Sequence, residues 1–173
     1  MQSNGKRKPT SKASYQRLQA YLSRHENCRR ELAALHARRA ALAEQLSCMG
    51  EQSDNCYGNV NWKVATAAFR RADERLAEQM TKTAYSLQDI LGLFELLPNG
   101  SDARMILEYR YIDGLTWLQV SARMRLSVRW CCARRDAGLR QIWSHPDVRA
   151  AVNRWAEKYY PRLPAEPEEA EHP

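Results

Sequence analysis

The sequence predicts an all-α protein: a long antiparallel helical (coiled-coil) hairpin followed by a helix-turn-helix domain. Three observations carry this. Only seven glycines and seven prolines occur in 173 residues. Apolar residues recur three and four apart along two long tracks, the spacing of a heptad seam. After Gly100 that rhythm gives way to short segments, each opened by a capping residue.

The first track runs Leu18, Tyr21, His25, Cys28, Leu32, Leu35, Arg39, Leu42, Leu46, Met49. His25 and Arg39 interrupt it at equivalent positions, lowering its stability while helping to set the register of the facing helix. Gly50, Asn55, Gly58 and Asn59 mark a loop. The second track reads Phe69, Asp73, Leu76, Met80, Thr83, Leu87, Ile90, Phe94, Leu97, with Asn61 as N-cap and Pro98-Asn99-Gly100 as stop. Each helix is then about 36 residues, roughly 55 Å. Equal lengths favour an antiparallel hairpin, and the same stripes could also join two copies, so a homodimer is expected.

Beyond the hairpin (13–98), a helix-turn-helix domain is expected over 101–143. Ser101 or Asp102 caps a helix ending near Ile112, where Asp113-Gly114 turns the chain. Thr116 and Gln119 have the spacing of a capping box, so a brief helix starts at Trp117 and carries Val120 inward. Met124-Arg125-Leu126 is a tight turn before Ser127, the next N-cap, and the helix it opens runs to about Trp143. Pro146 starts a C-terminal helix (146–160) with Val148, Ala151, Val152, Trp155 and Tyr159 on one side, ended by Pro161. It is expected to cover the helix-turn-helix core. The basic stretch 1–12 and the glutamate-rich stretch 161–173 are expected to be disordered.

Charge follows the same division. The chain carries +7 with a pI near 9.3 and a mean hydropathy of -0.68. Residues 1–47 hold ten bases and three acids, and residues 101–145 hold eight and four, all eight bases being arginine. Two basic blocks suggest a polyanionic partner. The longest apolar stretch, Ile90 to Leu97, is broken by Glu95 and far shorter than the roughly 20 residues of a membrane span. Lys6, Arg7, Lys8 and Lys12 precede no apolar core, so no signal peptide is expected and the cytoplasm is the expected compartment. Cys28, Cys48, Cys56, Cys131 and Cys132 lack any Cys-x-x-Cys spacing, which argues for reduced thiols without metal.

Within the helix opened by Ser127, positions Cys131, Gly138, Leu139 and Ile142 form one side at 100° per residue. The other side shows Arg129, Ala133, Asp136, Ala137 and Arg140, flanked by Trp130 and Arg134. Early residues of such a helix enter the major groove, which makes Arg129, Trp130, Ala133 and Arg134 the candidate base readers. The arginine fork can donate twice to guanine. Arg123, Arg125 and Arg135 are better placed for phosphates. Trp130 reads equally well as a core residue, and Trp117 reads as core.

Arg104-Met105-Ile106-Leu107, Arg110 to Trp117, Val120-Ser121, Leu126-Ser127 and Gly138-Leu139 resemble sigma-70 region 4-like helix-turn-helix domains. The chain looks most like small phage and prophage proteins in which a long helical hairpin precedes such a domain, related to late-gene transcriptional activators of the RinA and ArpU type. The resemblance implies a DNA-binding unit over Thr116 to Ile142 with Ser127 to Arg135 as its reading edge, double-stranded DNA as ligand, and RNA polymerase as protein partner. Three positions depart from the pattern. Arg125 stands where glycine is usual, which puts a side chain in the left-handed region at a cost of order 1 kcal/mol. Gly138 replaces the commoner alanine, costing up to about 1 kcal/mol of helix propensity unless a neighbour packs too closely for a methyl. Leu118 replaces a solvent-side glutamate and is a candidate protein contact.

Enzyme parts are missing. There is no phosphate-binding glycine loop, metalloprotease helix pair or glycine-flanked serine, and the four histidines are scattered. No cofactor or metal is expected. The alternatives to a regulator are a helical assembly or adaptor protein and a small DNA-packaging subunit.

Overall fold

The computed structural model describes the backbone of residues 12–50 and 56–160, with side chains over 16–49 and 61–160. The chain is all-α. Two long helices, α1 (Lys12–Gly50) and α2 (Cys56–Phe94), precede four shorter ones: α3 (Asp102–Tyr111), α4 (Trp117–Met124), α5 (Val128–Trp143) and α6 (Pro146–Tyr159). The expected disorder of the two chain ends falls outside the described residues, apart from Lys12, with which α1 opens.

Two compact units divide the long helices. Residues His25–Asp89 form one, and residues through Arg24 and from Ile90 onward form the other. Within His25–Asp89 the helices are antiparallel: Arg39 Nε lies 2.6 Å from Asp73 Oδ1, and His25 Nδ1 lies 2.9 Å from Ser86 Oγ. The hairpin is therefore observed, with longer arms than expected. Asn61 caps nothing: α2 begins at Cys56, so Gly58, Asn59 and Asn61 all lie inside it. Helical geometry also stops at Phe94, short of Leu97, although Leu97 remains buried.

The inward face of α2 differs from the second heptad track. The track's members Leu76, Thr83, Ile90, Phe94 and Leu97 are buried, but Met80 is 52% exposed and Leu87 only half-buried, while Gln79 and Ser86, off the track, are buried. Hydrogen bonds explain the shift. Gln79 Nε2 donates to the Cys28 carbonyl at 3.2 Å, and Ser86 Oγ donates to the Thr83 carbonyl at 2.8 Å. The same Ser86 hydroxyl is hydrogen-bonded to His25 Nδ1 on the facing helix. Each such bond is worth about 1 kcal/mol net, but an unmet buried partner costs more, so the polar set holds its register. Arg39, the other interruption of the first track, meets Asp73 at the surface rather than in a core.

The second unit has two cores. The larger joins Leu18, Tyr21 and Leu22 of α1, Ile90 and Phe94 of α2, Leu107 and Tyr111 of α3, Leu139, Ile142 and Trp143 of α5, and Val148 and Val152 of α6. The smaller, Ile106, Val120 and Cys131, ties α3, α4 and α5 together. Thus α6 packs into the larger core, beside the long-helix ends, and Arg17 Nη1 donates to Asn153 Oδ1 at 2.9 Å. Gly138 meets α3 closely. A methyl there would lie 3.1 Å from Leu107 Cδ1 and 3.2 Å from Ala103 Cβ, which accounts for glycine in mid-helix.

Burial raises the Tyr111 hydroxyl above its ordinary pKa of 10.0, against the opposing charges of Arg135 and Arg110. A raised phenol stays neutral longer in the folded chain than in the unfolded one. Its stabilising contribution is complete below pH 10 and is lost as pH climbs through the folded value. Stability should fall in that alkaline range, and Tyr111→Phe should flatten the fall in urea titrations. Identical alkaline losses in both proteins would contradict this.

Candidate nucleic-acid interface

Local chemistry fixes the α3–α4–α5 arrangement. Ser101 caps α3, its Oγ accepting from the Arg104 N–H. Gly114 takes φ 73°, and the Arg110 guanidinium donates to the Leu115 carbonyl at 3.1 Å across that turn. At α4 both halves of the capping box form: Gln119 N–H donates to Thr116 Oγ1 at 3.3 Å, and Thr116 N–H donates to Gln119 Oε1 at 2.8 Å.

The turn into α5 is closed at Arg125, whose φ of 55° and ψ of 37° place it in the left-handed region. Non-glycine residues pay about 1 kcal/mol there. Ser121 offsets the strain from both sides: its carbonyl accepts from Leu126 N–H at 3.1 Å and its hydroxyl donates to the Leu126 carbonyl at 2.5 Å. Ser127 Oγ then accepts from Trp130 N–H at 3.2 Å and starts α5.

These constraints sort the α5 side chains. Cys131, Gly138, Leu139 and Ile142 are buried, while Arg129, Trp130, Ala133, Arg134 and Arg140 are exposed. Trp130 is 45% exposed, which removes the core alternative for it. The Arg134 guanidinium stands 4.5 Å from the Trp130 ring centroid, so those two share one exposed flank. Burial pushes the Cys131 thiol up, consistent with an inert core sulfur.

The three arginines read as phosphate contacts separate. Arg125 is exposed at the turn. Arg123 is exposed on α4 and lies 5.1 Å from the Tyr109 ring centroid. Arg135 is held inward, its side chain 21% exposed, with Asp136 Oδ1 at 2.7 Å and the Trp117 ring at 5.1 Å. Desolvation is the largest influence and opposes its charge, but the hydrogen bond to Asp136 and the charge of Asp136, with smaller help from Tyr111 and Cys132, together raise the pKa of Arg135. Arg110 also approaches the half-buried Trp117, at 5.7 Å, so this ring takes a guanidinium from α3 and another from α5. Sequence spacing carried no sign of the Tyr109 and Trp117 platforms, since their arginines lie more than a dozen positions away in two of three cases. Leu118, on α4, is 76% exposed.

No helix among the described residues is long and apolar enough to cross a membrane. Among the described residues no group of three or more His, Cys, Asp or Glu side chains could hold a metal. No family model, curated protein or solved structure matches the chain.

Proposed function

We propose that the protein is a non-enzymatic, phage-type transcriptional regulator that binds duplex DNA through α4 and α5 as a helix-turn-helix. One observation carries the reading: the capped start of α5 presents Arg129, Trp130, Ala133 and Arg134 to solvent, while a strained but fully bonded turn at Arg125 fixes that helix on α4. Ser127, Arg129, Trp130, Ala133 and Arg134 are the groove-facing set, a placement that suits base reading by the first turns of the second helix. Arg123 and Arg125 engage phosphates. Arg135 is committed to Asp136 and Trp117, and the Asp136 carboxylate offsets its charge, so its part is to brace α5 on α4. The setting is a bacterial cytoplasm and nucleoid, and no cofactor takes part.

Selection of bound fragments from a random duplex pool tests this directly. A recovered consensus, bound with an affinity that falls steeply with salt, is the expected result. Equal retention of all duplexes at moderate salt would displace the regulator reading in favour of an assembly, adaptor or DNA-packaging role.

Leu118 bears on the protein partner. A leucine 76% exposed two residues into α4 is a fitting contact for RNA polymerase beside a promoter. Leu118→Glu should reduce transcriptional activation in a reconstituted assay and leave DNA affinity unchanged. Parallel loss of both would reassign Leu118 to the fold.

A further inference from the structure

The hairpin within His25–Asp89 exposes more apolar surface than two helices can cover. None of Leu32, Leu35, Leu42 and Leu46 on α1 is buried. On α2, a second row of side chains lies about 80° around the helix from the buried face, at 3.6 residues per turn. It consists of Trp62, Phe69, Met80, Ala84 and Leu87; Trp62 is 41% and Met80 52% exposed. Asp73 is the charged member of this row, and Arg39 engages it at 2.6 Å while standing 5.0 Å from the Phe69 ring centroid. The other border of the buried face is charged, with Arg71, Arg75, Lys82 and Asp89 all exposed.

We propose that this row docks a second copy of the chain, α2 against α2, antiparallel about a two-fold axis. The spacing is self-complementary. Trp62 and Leu87, and Phe69 and Met80, are placed symmetrically about the midpoint between Glu74 and Arg75. A two-fold axis at that midpoint sets each opposite its counterpart, as an isologous interface requires.

Self-complementarity and composition favour this occupant. From 62 to 87 the helix runs roughly 38 Å, and one helix diameter gives a face on the order of 400 Å² per partner, the size of a weak, concentration-dependent interface. Residues 1–11 and 161–173 contain only Met1 and Leu163 as large apolar side chains, too few to cover the row. The pairing does not depend on DNA binding, so either can fail alone.

Sedimentation equilibrium of the full chain at tens of micromolar should show a dimer. Met80→Glu and Trp62→Ser, both at exposed positions, should each weaken it at least about tenfold with helicity unchanged by circular dichroism. Lys82→Glu on the charged border should leave it intact. Labels placed at Glu74 should lie close together across the dimer, whereas labels at Lys63 should be roughly 35 Å apart, given 1.5 Å per residue. A strict monomer, or a dimer indifferent to Met80→Glu and Trp62→Ser, overturns the proposal; equal short separations at both label positions overturn the antiparallel two-fold.

Discussion

Phe94→Ala should lower the stability of the unit built from the long-helix ends and α3–α6 by about 3 to 5 kcal/mol, the usual cost of emptying a buried phenylalanine site. Phe94 is 0% exposed and belongs to the larger core, which draws side chains from α1, α2, α3, α5 and α6. The site lies within a cluster that unites five helices, so its walls are held by packing elsewhere and collapse into the void is restricted. Urea unfolding followed by tryptophan fluorescence is a suitable readout, since Trp143 sits in that core and Trp155 packs against it. Lys82→Ala, at an exposed position on the charged border of α2, should change the same transition by no more than about 0.5 kcal/mol. A loss below 1 kcal/mol for Phe94→Ala would mean that the end of α2 does not belong to this core.

Arg129→Ala and Arg134→Ala should each cost about 1 to 3 kcal/mol on the selected duplex and relax discrimination at one base position. The two should differ in their dependence on neighbours. Arg134 lies over the Trp130 ring, so Trp130→Ala should weaken the effect of Arg134→Ala in a double-mutant cycle and leave that of Arg129→Ala alone. Arg123→Ala should behave otherwise, weakening all duplexes alike and reducing the salt slope by about one unit. Gel-shift titrations across a salt series separate the two patterns. If all three substitutions leave binding unchanged, the α5 face is not the DNA contact.

Much of the α3–α6 region was legible because its signals act over three or four residues. Ser101, the Thr116 and Gln119 box, Ser127 and Pro146 each start a helix where the sequence reading placed one. Caps work by bonding their own first turn, so no distant contact is needed to interpret them. The core face of α5 followed from periodicity alone, and Arg125 adopts the left-handed backbone that the resemblance implied, since glycine is usual there.

The α2 face was a different matter. Apolar spacing selected Met80 and Leu87, but the buried positions are Gln79 and Ser86, because the Cys28 carbonyl and His25 on the facing helix offer them hydrogen bonds. Neither partner is visible from α2 itself. The same holds for Arg123 on Tyr109 and Arg135 on Trp117, which chain folding brings together from separate helices. Composition, caps and period determined by themselves that the chain is helical, where its short helices begin and which side of α5 turns inward. Only the tertiary structure decided which residues of α2 are buried, that α6 joins the long-helix ends in one core, and which arginines are free to reach outward. Those outcomes depend on whether a polar group finds its partner in another helix, and sequence spacing along one helix cannot encode that.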